Sequence, residues 1–188
     1  MSTSVKAIEK PRLSVKLQTL AAASAIIGAV VLPQIFHVMG AVSGLGTKLG
    51  EVFLPMHLTI FLAGLLAGPM AGAAAGVMAP LASFALTGMP SSAMLPFMMI
   101  ELCAYGLFSG LLRNVNIPVI GKVFAVQVAG RAVRAGAILV SVYALGNAAI
   151  PVSIIWTSIT TGIFGIVLQL VLIPLIIFRV ENGTANEK

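Results

Sequence analysis

Apolar residues along the chain neither alternate nor recur on one helical face. They run on continuously, broken only by short polar or Gly/Pro-containing stretches. An α-helix needs about 20 such residues to cross the hydrocarbon of a bilayer, and the pattern predicts six crossings. Span 1 covers 17–37 (LQTLAAASAIIGAVVLPQIFH) and ends near Pro33 and His37. The segment 38–51 (VMGAVSGLGTKLGE) reads as a long glycine-rich loop, of the kind often used as a lid or binding loop. Span 2 (52–67) and span 3 (70–86) meet at Gly68-Pro69, where proline suits the first turn of the second helix. Pro90, Ser91 and Ser92 mark the next turn. Span 4 covers 94–112, and Arg113, Asn114, Asn116, Pro118 and Lys122 form a polar connection. Span 5 starts somewhere between 121 and 134 and ends near Ala144. Gly146, Asn147 and Pro151 turn the chain into span 6, 152–178. The expected fold is an all-α integral membrane protein: one six-helix domain over 17–178, with cytoplasmic tails at 1–16 and 179–188.

Composition agrees. Of 188 residues, 59% are hydrophobic and 9% charged, and the mean hydropathy is +1.09. A soluble domain of this size cannot hide so much apolar surface. The net charge of +6 does not indicate nucleic-acid binding, because much of it sits in one tail at Lys6, Lys10, Arg12 and Lys16. Basic residues also occupy the 113–122 connection and the C-terminal end, while the opposite loops carry only Lys48. The positive-inside rule therefore predicts a plasma-membrane protein with both termini in the cytoplasm. A signal peptide also starts basic and turns apolar, but the apolar run here continues to about Phe36 without a clear small-residue cleavage site. One cysteine, Cys103, leaves no internal disulfide and no cysteine cluster for a metal. No metal or cofactor bound by this chain is expected.

Ionisable groups inside membrane spans are functional hypotheses by default. At 1.5 Å per residue, His57 lies roughly 8 Å below the outer end of span 2 and Glu101 roughly 10 Å below the outer end of span 4. Tyr105 follows Glu101 by one helical turn, on the same face. Tyr143 and Asn147 close span 5 at that level, and span 6 begins there with Trp156, Thr157, Thr160 and Thr161. Groups from four spans thus have the depth to form a binding site under the 38–51 loop: His57, Glu101, Tyr105, Tyr143, Asn147, Trp156 and Thr160. Plainer roles stand beside this one. His57 would serve equally as a hydrogen-bond partner of Glu101, and Trp156 and Tyr143 suit an interfacial aromatic belt. Arg131 and Arg134, on one face with Gln127 and Ser141, are expected towards the inner half, with snorkelling side chains.

Small residues form two stripes, Ala21/Ala25/Ala29 in span 1 and Gly68/Gly72/Gly76 at the start of span 3. Such spacing lets helices approach closely, either within the bundle or against a partner.

The segments PMHLTIFLAGLLAGPMAGAAAGVMAPLASFALTGMP, PFMMIELCAYGLFSGLL, AGRAV and TGIFGIVLQLVLIPLI, in that order over 51–178, resemble the substrate-binding S component of energy-coupling factor (ECF) transporters. The resemblance implies an S-component-like six-helix bundle that binds a vitamin or similar micronutrient near the outer face. It implies as partners a transmembrane scaffold subunit and two cytoplasmic ATPase subunits, which use ATP. It also carries the alanine stripe Ala21, Ala25 and Ala29 over to a scaffold-facing role. The chain lacks a G-x-x-x-x-G-K-[ST] loop, consistent with ATP hydrolysis by other subunits. Pantothenate, pyridoxine-type or related vitamins are the candidate ligands. Pantothenate, an anion, would need a cation from protonated His57 or from Arg134. Alternatives are a self-contained secondary transporter, for which no inverted repeat is visible, or an intramembrane enzyme using Glu101 and His57, without HExxH or G-x-S-x-G.

Overall fold

A computed structural model describes residues 14–46 and 48–186, with side chains through residue 180; Lys6, Lys10 and Arg12 of the basic tail lie outside the described residues. The described chain is helical from end to end: α1 (Val15–Val42), α2 (Lys48–Phe53), α3 (Pro55–Ala67), α4 (Pro69–Thr87), α5 (Leu95–Leu111), α6 (Val119–Leu139), α7 (Ile154–Thr161) and α8 (Ile163–Asn186). Six segments are long and apolar enough to cross a membrane, with α2 and α3 counted together and α7 left out. Lys16, the Arg113–Lys122 connection and Arg179 share one end of the bundle, here termed the basic end.

Three boundaries differ from the expectation. Segment 38–51 is mostly helix, because α1 continues to Val42 and α2 begins at Lys48. The reversal is confined to a few residues: Leu45 N and Gly46 N donate to Gly40 O at 2.8 and 2.9 Å. Gly44 and Gly46 have φ of +74° and +59°, which glycine adopts without a Cβ penalty. Span 6 crosses over Ile163–Val180, and its expected first part is the separate helix α7, interrupted at Gly162. Span 5 starts ahead of the expected 121–134 range. The helix begins directly after Pro118 and extends through a π-turn, Val140–Ala144. Lys122, near its basic end, bends its ammonium back to donate to Arg113 O at 2.9 Å, covering a helix-terminal carbonyl. Between α3 and α4 the chain turns at Gly68-Pro69 as the sequence predicts.

The core forms where α3, α4, α5 and α6 meet, around Ile60, Phe61, Ala75, Leu102, Tyr105, Val123 and Val126. In lipid, apolar burial does not drive helices together, so close packing must. The α4–α5 seam achieves this with backbone against backbone. A Cβ added at Gly72 would overlap the Gly106 carbonyl, one at Gly106 would overlap the Gly72 carbonyl, and one at Gly76 would strike the Leu102 carbonyl. Gly68, the first member of the expected stripe, serves as the turn, while Gly72 and Gly76 form the seam.

The alanine stripe of α1 has an inward role. Ala29 is 0% exposed and Ala25 9%, both packed in the core with α3 and α4 neighbours, and Ala21 is half-buried. Within the isolated chain the stripe packs inward, and its expected scaffold-facing role is a matter for the assembled transporter. Small side chains let α1 lie against its own bundle, and the surface α1 turns outward is instead the bulky row Leu20, Ile27, Val31, Ile35 and Val38.

Two substitutions test this packing. Gly106→Val should lower detergent-solubilised stability by about 3 kcal/mol or more, since backbones must separate, whereas Gly136→Ala, where an added Cβ meets nothing within 4 Å, should be neutral or gain about 0.5–1 kcal/mol. Ala29→Leu should lower the melting temperature of the isolated chain. An unchanged melt with loss of complex assembly would return the stripe to a partner-facing role.

Candidate functional site

At the end of the bundle opposite the basic end lies a cavity of about 540 Å³, within the range of small-molecule sites. Its wall is assembled from Pro33 and His37 of α1, the 50–57 stretch across the α2–α3 junction, and Ser83 of α4. Met89 to Met94, then Met98 and Glu101 of α5, Arg131 and Arg134 of α6, and Ile154, Thr157, Ser158 and Thr161 of α7 complete it.

The polar centre is Glu101, whose side chain is 0% exposed. Its Oε2 accepts a hydrogen bond from the Arg134 guanidinium at 2.9 Å. Its Oε1 stands 3.9 Å from His57 Nε2, beyond hydrogen-bond range. A buried carboxylate loses several kcal/mol of hydration and is stable only if paired; here the pair joins α5 to α6. Behind His57, the Tyr105 ring meets the imidazole edge-on with centroids 5.2 Å apart and leans on Phe61 at 5.0 Å. The Tyr105 hydroxyl donates to Gln127 O at 3.4 Å. Gln127 Nε2 donates to Gln169 Oε1 at 3.1 Å, and Gln169 Nε2 donates to Leu54 O at 3.2 Å. Leu54, on the cavity wall, sits in the left-handed region (φ 49°, ψ 47°), which is costly for a residue with a Cβ.

The cluster leaves several groups without a hydrogen-bond partner in the chain. Glu101 Oε1, His57 Nδ1, His37 Nδ1, Arg131 Nε and Arg134 Nε are buried and unsatisfied, and all five residues line the cavity. Buried polar atoms are nearly always satisfied, so such a concentration around one cavity is the mark of a place built to receive polar groups.

Of the residues predicted for the site, His57 and Glu101 lie level with one another on the cavity wall, and Tyr105 supports His57 from behind. The other four lie off the wall. Tyr143 is 76% exposed and Trp156 71% exposed, and neither lines the cavity. Thr160 is exposed and donates back to the Trp156 and Thr157 carbonyls. Asn147 folds onto its own loop, donating to Ser141 Oγ at 3.0 Å and accepting from Ala149 N at 2.9 Å. The reason on α7 is helical phase: Thr157 and Thr161 share the cavity-facing stripe, and Trp156 and Thr160 share the next one round.

Arg131 and Arg134, expected towards the inner half with snorkelling side chains, both line the cavity. In the 26-residue fifth span, Arg134 lies about 22 Å from Val119 and only about 15 Å from Ala144. Two arginines three residues apart inside an apolar run were the available signal, and uncertainty over where the helix begins concealed their depth. His37, expected merely to end span 1, also reaches the cavity because α1 continues past it.

A family model described as "ECF transporter, substrate-specific component" matches residues 16–177. The chain belongs to this family. No curated protein and no solved structure matches the chain significantly. As an ECF substrate-specific component it is a multi-pass plasma-membrane protein and a transport subunit. The family implies a small-molecule substrate and transmembrane scaffold and ATPase partners.

Arg134→Leu should strip Glu101 of its hydrogen-bonded partner and cost about 3–5 kcal/mol of stability. The double change Glu101→Leu with Arg134→Leu should recover most of that loss. Thermal unfolding in detergent of the two single variants and the double variant reads the coupling, and additive losses would show that the pair is not interacting.

Proposed function

We propose that this ECF substrate-specific component captures a vitamin or similar organic micronutrient in the 540 Å³ cavity and delivers it inward when a scaffold subunit and two cytoplasmic ATPases turn over ATP. The observation that carries the proposal is the buried Glu101–Arg134–His57 cluster, with unsatisfied polar atoms, at the inner wall of a cavity of vitamin size. Polar groups that have no partner in the chain favour a ligand that supplies one, and largely pre-formed cavities with a few convergent polar groups bind small molecules tightly.

The cavity end faces outside in this proposal, with N- and C-termini in the cytoplasm. Support comes from the placement of Lys16, Arg113, Lys122 and Arg179 at the other end, and the positive-inside rule assigns that end to the cytoplasm. Residues Tyr143, Asn147, Trp156 and Thr160 have no role in ligand contact in this proposal. His57, Glu101, Arg131 and Arg134 do, with Tyr105 positioning His57. Pantothenate and pyridoxine-type vitamins head the panel of candidates.

The purified chain should bind one vitamin with high affinity in the absence of ATP, measured by thermal shift and calorimetry. Cellular uptake of that vitamin should require the scaffold and ATPase subunits. Uptake into proteoliposomes by this chain alone, driven by an ion gradient, would overturn the proposal in favour of a secondary transporter.

A further inference from the structure

We propose, resting on the transport function above, that the cavity's ligand is a small organic acid. Its carboxylate pairs with Arg131, and a hydroxyl or amide N–H of the same molecule donates to Glu101 Oε1.

Arg134 is committed to Glu101. Arg131 lies one turn earlier on the same face of α6 and lines the same cavity, and among the described residues it makes no hydrogen bond or ion pair. Its Nε is buried and unsatisfied. The deep part of the cavity therefore holds two guanidinium groups against one carboxylate. Glu51, the other acid on the wall, is on α2 and exposed at the rim. A guanidinium in a membrane-embedded site calls for an anion, and its planar fork matches a carboxylate with two parallel hydrogen bonds. A neutral ligand would leave Arg131 as it is. A cationic one would be repelled by Arg131, or would have to break the Glu101–Arg134 pair.

Glu101 Oε1 imposes a second condition. An ionised carboxylate oxygen only accepts hydrogen bonds, this one is buried without a donor, and His57 at 3.9 Å falls short. The acid must therefore also bring a donor. The third is the remaining wall. Met56, Met89, Met94 and Met98 line it, and flexible thioethers adapt to an apolar or aromatic body. An inorganic anion would leave that wall and most of the volume unfilled. A carboxylic acid with an apolar body and a hydroxyl or amide meets all three conditions.

Matched acid and neutral pairs test this on the purified, detergent-solubilised chain: pantothenate with panthenol, nicotinate with nicotinamide, and biotin with its methyl ester, with pyridoxine and thiamine as neutral and cationic controls. Calorimetry should find one acid bound and its neutral partner bound about 30-fold more weakly or worse, the scale of removing one member of a buried charge pair. Arg131→Gln should abolish that preference while the ligand-free variant still unfolds cooperatively. Mass spectrometry of any small molecule that co-purifies should identify a carboxylic acid. Tightest binding by pyridoxine, thiamine or another non-acid would overturn the inference and leave the transport function intact, as would Arg131→Gln binding the acid with wild-type affinity. Ion-driven uptake by the chain alone strikes the transport function, whichever ligand is bound.

Discussion

A carboxylate buried among apolar helices must be answered by a cation, and the structure is organised around the way Glu101 is answered. Its hydrogen bond to Arg134 links α5 to α6 near the level at which the cavity ends. Either charge alone in that environment would cost several kcal/mol. Together they also set a boundary: apolar packing fills the bundle towards the basic end, and the space beyond the pair stays open as a cavity. Arg131, one turn away, inherits the electrostatic imbalance, and His57 stands close enough to feel Glu101 without satisfying it.

The pair can sit so deep because the helices around it approach so closely. Gly72 and Gly106 place the backbones of α4 and α5 in contact, and Gly64 brings α3 equally close to α5 at Gly106 and Gly110, which fixes the height of Glu101 relative to His57. Ala25 and Ala29 let α1 close the other side. Small residues here are instruments of position: they give up side-chain burial at the seam in return for a rigid frame, and a rigid frame is what holds polar groups unsatisfied in one place.

A second polar route runs behind the cavity. Tyr105, Gln127 and Gln169 connect α5, α6 and α8 by hydrogen bonds and end on the carbonyl of Leu54, the one non-glycine residue of the described chain with positive φ. A left-handed leucine persists only where its surroundings over-determine it. Here Pro55 follows it, Gln169 holds its carbonyl, and its side chain lies beside Gly162. Strain, hydrogen bonding and the cavity wall therefore coincide at the junction of α2 and α3.

Much of the architecture was legible in the sequence. Six apolar runs, the break at Gly68-Pro69, the common end for basic residues and the shared depth of His57 and Glu101 all follow from helix length, turn chemistry and 1.5 Å per residue. Those properties are local or nearly so, and one chain determines them. Other features depended on which way a helix is rotated and where it starts. Thr157 and Trp156 are neighbours in sequence yet one lines the cavity and the other leaves it. Arg134 counts as shallow or deep according to a boundary that Pro118 settles only when α6 is seen entire. The alanine stripe reads equally as an inner or an outer face until α3 and α4 are placed against it. The sequence by itself determined a six-span membrane protein with an ionisable cluster in the half away from its basic end. Only the tertiary structure decided that the partner of Glu101 is Arg134, that Arg131 is left over, and that both face one cavity. Pairing of charges across helices is set by rotation and register, and these emerge only when the backbones pack.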